Sequence, residues 1–182
     1  LMGLCALNIM YTFAWSLAGR FFIFYAMDVI FLTTVEWGLI SAIQLGISLA
    51  LRFPGGRLVD RYSRRRAILI LLGADIPVFL GFIYSKTFLQ VLAVLVLSTI
   101  VVTLTEPAWY VLRADLTPRE KRGKVSSLFR IMGAFSGFFG SLIGGYLYTM
   151  RPALPFWVFV FFAVAGTSIT FVIVHDPKKP EV

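Results

Sequence analysis

The chain has 182 residues, 59% of them hydrophobic, with 18 Phe, a mean hydropathy of +0.86 and a formal net charge of +8. A soluble domain averages about 45–50% apolar residues even with glycine counted, so this composition does not fit a soluble core and makes the bilayer its natural solvent. One cysteine, Cys5, excludes an intramolecular disulfide and a cysteine metal cluster, and basic residues that interrupt apolar segments, rather than cover a polar surface, exclude nucleic acid as a partner.

Segments of about 20 apolar residues span a bilayer as helices. Six are expected, over 4–32, 37–57, 66–84, 88–112, 125–149 and 155–174, so that residues 1–182 form a single six-helix transmembrane domain of the all-α class. The connections are short, which makes neighbouring helices antiparallel. The first segment is too long for a signal peptide and shows neither a basic leader nor a small-residue cleavage site. Leu1 opens directly on this apolar run, as in a piece of a longer polypeptide.

The first segment carries Arg20 near its middle and Asp28 near its outer end, and the second carries Gln44. Between the second and third lies "GGRLVDRYSRRR", positions 55–66, with Arg57, Arg61, Arg64, Arg65 and Arg66. The third segment holds Asp75. The fourth holds Glu106, Trp109 and Tyr110, and is followed by Arg113, Arg119, Lys121, Arg122 and Lys124. The fifth is rich in glycine, "GAFSGFFGSLIGG", with two G-x-x-x-G spacings, at Gly133/Gly137 and Gly140/Gly144; small residues of this kind let helix backbones approach closely in membranes. The tail after the sixth holds Lys178 and Lys179, and His175 reads as a surface residue.

Basic residues near helix ends mark the cytoplasmic side. The two loops and the tail together hold twelve, against Lys86 and Arg151 in the alternate loops. Both basic loops and both termini are therefore expected in the cytoplasm, with the protein integral to the plasma (inner) membrane.

Topology alone needs neither an acid nor a glycine in such a loop, yet Gly56, Asp60, Arg61, Arg64 and Arg65 keep the spacing G-x-x-x-D-R-x-x-R-R. This stretch resembles the signature loop of the major facilitator superfamily, with Ser63 where that family usually has glycine. "LTPREKRG", with Pro118, Arg122 and Gly123, resembles the family's P-x-x-x-R-G in the equivalent loop. The resemblance covers the whole chain. It implies one six-helix half of a twelve-helix transporter, built as a 3+3 inverted repeat that the letters themselves do not display. The charged tail "HDPKKPEV" favours the C-terminal half.

The resemblance further implies a cytoplasmic gate, in which Asp60 docks against the other half; Asp115, placed at the end of the fourth segment, is expected as a local partner for Arg61 or Arg64. It also implies that the first and fourth helices line a central cavity. Ionisable groups at membrane depth are functional candidates. Arg20 and Glu106 are thus cavity candidates, with Gln44, Trp109 and Tyr110 adding hydrogen bonds and stacking. Arg20 suits an anionic group on the substrate, and Glu106 a coupling proton. Alternatively, Arg20 forms an internal pair with Asp75 or Glu106. No catalytic constellation, cofactor site or metal-ligand spacing is present. The expected function is secondary transport of a small solute by alternating access, with the other six-helix half and the lipid bilayer as partners. The alternative is a non-transporting six-helix scaffold or subunit.

Overall fold

A computed structural model describes the backbone of residues 2–61, 64–115 and 117–173, and the side chains of 5–52, 69–111, 114 and 117–171. Among the described residues every regular element is helical. The chain runs through α1 (Met2–Ala18), a 3-10 turn (Gly19–Phe21), α2 (Phe22–Asp28), α3 (Thr34–Arg61), α4 (Arg64–Ile83), α5 (Phe88–Asp115), a second 3-10 turn (Arg119–Lys121), α6 (Arg122–Met150) and α7 (Leu154–Ile173). Thr34–Arg52, Phe88–Val111, Arg119–Met150 and Leu154–Phe171 are long and apolar enough to cross a bilayer, and Leu69–Ile83 is a shorter apolar helix.

Several boundaries differ from those the apolar runs predict, two of them with consequences for the site. The first segment is not one helix: it breaks at Gly19–Phe21, where the Trp15 ring packs over Gly19 so closely that a Cβ there would stand 3.2 Å from it. The second helix does not end near residue 57 but continues to Arg61, so the GGRLVDR stretch is helical backbone. Leucine and arginine are good helix formers and help carry the helix past two glycines. Between α2 and α3 the chain turns at Phe31, which adopts a left-handed φ of 61°. α3 then starts on a capping box: the Thr33 amide and hydroxyl both donate to Glu36 Oε2 at 2.8 Å, and the Glu36 amide donates to Thr33 Oγ1 at 3.2 Å.

The helices pack in the order α3, α5, α4, α7, α1, α6. Exchanging the first three spanning segments for the last three maps this set of neighbours onto itself: α1 against α6 becomes α5 against α3, α5 against α4 becomes α1 against α7, and α4 against α7 is its own image. The packing thus carries the internal repeat that the letters hide. A dry aromatic core lies where α2, α4 and α7 meet. Phe79 stacks on Phe159 with centroids 3.7 Å apart, and Phe22 meets Phe82 edge-on at 4.5 Å. Tyr25 and Phe156 complete it. Such pairs contribute about 0.5–1.5 kcal/mol each beyond their buried area.

α1 and α6 meet along the glycine seam. A Cβ at Gly140 would fall 2.5 Å from the Phe13 carbonyl oxygen, and one at Gly144 would overlap the Leu17 carbonyl oxygen. The opposite face of α6 leaves Phe135, Phe138, Leu142 and Tyr146 exposed.

Candidate functional site

A groove of about 310 Å³ opens between α1 and α5, over Leu71 of α4. Asn8, Tyr11, Thr12 and Trp15 line it from α1, and Val102, Glu106, Trp109 and Tyr110 from α5. Each set recurs at three- and four-residue spacing and so occupies one helix face. α1 and α5 do not pack extensively on each other, which leaves the space between them. The groove borders the aromatic core, because Trp15 in its lining meets Phe79 and Phe159 edge-on at 6.1 Å each.

Glu106 is exposed to this groove. Its Oε1 accepts a hydrogen bond of 3.4 Å from the Tyr110 hydroxyl, one turn on. Pro107 is the next residue; lacking an N–H, it deprives the Thr103 carbonyl of its helical partner. Tyr110 is 60% exposed and Trp109 8%, so the first faces the open groove and the second shapes its wall. On the α1 side the Tyr11 and Trp15 rings stack, with centroids 6.4 Å apart. Behind them Asp75, 3% exposed, accepts a 3.2 Å hydrogen bond at Oδ2 from the Tyr11 hydroxyl. A second hollow of about 200 Å³, lined by Ala114, Thr117, Arg122, Val125 and Ser126, shares Tyr110 with the groove. There Arg122 Nε donates to the Thr117 carbonyl at 3.3 Å, tying down the loop that carries the P-x-x-x-R-G spacing.

The structure brings Glu106, Trp109 and Tyr110 together and sets Arg20 and Gln44 apart from them. Arg20 sits exposed on the 3-10 turn, outside the groove lining, and pairs with neither Asp75 nor Glu106. The anionic substrate expected from Arg20 therefore has no support in this groove. Gln44 ties α3 to α5: its Nε2 donates to Thr99 Oγ1 at 2.8 Å and to the Leu95 carbonyl at 3.3 Å. One turn along α3, Ser48 accepts from the Thr103 hydroxyl at 3.4 Å. Asp28 accepts a 2.8 Å hydrogen bond from the Tyr148 hydroxyl, closing α2 onto α6. The gate residues Gly56, Asp60, Arg61, Arg64, Arg65 and Asp115 lie on helical backbone at the ends of α3, α4 and α5, and their side chains lie outside the described residues.

Asn8, Tyr11, Thr12 and Trp15 are absent from the candidates read in the sequence. Their signal was available: a polar and aromatic stripe at 8, 11/12 and 15 on an otherwise apolar helix.

A family model described as Major Facilitator Superfamily matches residues 4–182. The chain belongs to the major facilitator superfamily. Among its curated relatives, the uncharacterized MFS-type transporter YhjO of Bacillus subtilis (strain 168) is 25% identical over 166 residues, which is 91% of this chain and 40% of that relative. The uncharacterized MFS-type transporter YqjV of the same organism is 27% identical over 135 residues, 71% of this chain and 33% of the relative. The putative metabolite transport protein YfiG, also of that organism, is 28% identical over 156 residues, 82% of this chain and 32% of the relative. The chain thus spans about a third to two fifths of the length of these relatives. Membership in this superfamily, with four helices among the described residues long and apolar enough to cross a bilayer, makes the chain an integral membrane protein.

Proposed function

We propose that this chain is one six-helix half of a secondary transporter that moves a small solute across the plasma (inner) membrane by rocker-switch alternating access. The observation that carries the reading is Glu106, a carboxylate at membrane depth that opens into a groove between α1 and α5. A charge in that position is costly and is kept where it meets a solute, an ion or water. A non-transporting scaffold has no use for it.

The other half is a separate six-helix unit that faces the groove and closes it into a cavity. The exposed apolar faces of α3 and α6 meet that half or lipid. In this account Glu106 binds the solute or a coupling proton, and Tyr110 stands between the groove and the hollow near Arg122. Gly56, Asp60, Arg61, Arg64, Arg65 and Asp115 form the cytoplasmic gate. Asp60 falls in the last turn of α3, where its own helix dipole disfavours an acid; basic neighbours or the N-terminus of another helix must compensate it. Contacts of that kind hold in one state and break in the other.

Reconstitution tests the reading. Proteoliposomes holding the full-length protein, exposed to a cell metabolite extract under an imposed proton gradient, are expected to accumulate at least one small solute above protein-free liposomes. Glu106→Gln should abolish that accumulation. Equal contents in liposomes with and without the protein would contradict it.

A further inference from the structure

We infer that the solute taken by this groove is an organic cation with an apolar or aromatic body, because a single carboxylate, Glu106, stands there among the rings of Tyr11, Trp15, Trp109 and Tyr110 with no basic residue in the lining. The inference rests on the transport reading above and names its substrate class.

The charge comes first. Among the described residues Glu106 has no Lys, Arg or His partner; its hydrogen bond comes from the neutral phenol of Tyr110, at 3.4 Å. The other lining groups able to hydrogen-bond, Asn8 and Thr12 among them, are uncharged. A second acid, Asp75, stands behind the Tyr11 ring, buried and satisfied by the Tyr11 hydroxyl, and brings no positive charge to the groove. An anion entering here meets like charge. A neutral solute displaces water from Glu106 without replacing its counter-charge, which leaves a polar group imperfectly paired. A cation does neither.

The walls come second. Aromatic faces carry the negative end of a quadrupole, so they hold cations as well as apolar surface, and tryptophan does so best. Trp15 and Tyr110 are exposed enough to meet a solute directly, while the more buried Trp109 fixes the shape behind them. Leu71 and Val102 supply apolar floor and wall. A small inorganic cation would use the carboxylate but none of the rings, and the described residues hold no group of His, Cys, Asp or Glu side chains suited to a metal ion. A proton and an organic cation seek the same carboxylate and exclude each other there.

The experiment uses two probes of one shape and opposite charge, tetraphenylphosphonium and tetraphenylborate, on the purified full-length protein, with binding read by equilibrium dialysis. Tetraphenylphosphonium is expected to bind saturably. Glu106→Gln should weaken it at least about tenfold, as for loss of one charge-assisted contact. Glu106→Asp should retain most of the affinity, and Arg20→Gln all of it, with each variant checked for an unchanged melting temperature. Tetraphenylborate should neither bind saturably nor displace the phosphonium. Saturable borate binding of equal strength, no phosphonium binding, or an affinity indifferent to Glu106→Gln each overturns the assignment. Proteoliposomes that accumulate only anionic or neutral solutes also overturn it while leaving the transport reading in place; proteoliposomes that accumulate nothing remove the transport reading itself.

Discussion

Tyr11 is the residue at which the groove and the buried interior meet. Its ring lines the groove and its hydroxyl satisfies Asp75, which has 3% of its surface exposed. Tyr11→Phe leaves the ring and removes the donor, so a buried carboxyl loses its hydrogen bond. The expected cost is about 1–3 kcal/mol, seen as a lower melting temperature of the purified protein. Asp75→Asn keeps an acceptor for the phenol and should cost less, and the double variant should fall short of the sum of the two. Additive losses would mean that the 3.2 Å contact is energetically idle. The placement of Glu106, Trp109 and Tyr110 was legible, because residues three and four apart on an uninterrupted helix must share a face. That of Arg20 was not. It comes just after the switch to a 3-10 turn at Gly19, and each residue wound at about 3.0 rather than 3.6 per turn rotates the downstream helix by about 20°. Gln44 carries no signal in the sequence for which neighbour it meets, and it was Thr99 of α5.

At the level of the element, the α1–α6 seam depends on missing side chains. Gly144→Ala would drive a methyl into the Leu17 carbonyl and to 2.9 Å from Phe21 Cε2. Both are fixed by packing, so the helices must separate, at about 1–3 kcal/mol. Gly145→Ala is the control: its Cβ would meet only Phe21 Cζ, at 3.8 Å, an ordinary contact. Melting temperatures measured side by side should show a clear drop for Gly144→Ala and little change for Gly145→Ala; equal behaviour would contradict a close-packed seam. The G-x-x-x-G spacing announced such packing, but not its partner. Helix starts were less legible than helix existence. The T-x-x-E box at Thr33–Glu36 is a written start signal for a helix that begins at Thr34, three residues before the expected onset at 37, and apolarity alone overlooked it. The end of α3 at Arg61 was overlooked for the converse reason: charged residues lower hydropathy without breaking a helix.

At the level of the whole molecule, the apolar runs showed that the chain is a helical membrane bundle, and the paired loop motifs pointed to the superfamily that the family match establishes. The order of packing was hidden. Most faces of these helices are apolar, so periodicity does not say which one a neighbour covers; the small residues and the few polar contacts decide it. The central claim is that the α1–α5 groove is one wall of a solute path that opens to each side of the membrane in turn. Sided labelling of single cysteines in the full-length protein, in a Cys5→Ala background, tests it most directly. Lys124→Cys and Lys86→Cys serve as references and should react with a membrane-impermeant thiol reagent only from the cytoplasm and only from outside, respectively. Thr12→Cys and Val102→Cys, in the groove, should react from both sides, and Asp60→Asn should shift their reactivity toward the cytoplasm. Leu45→Cys, on the exposed apolar face of α3, should react from neither. Groove cysteines as silent as the one at Leu45, or reactive from one side alone whatever the solute or the state of Asp60, would contradict the account.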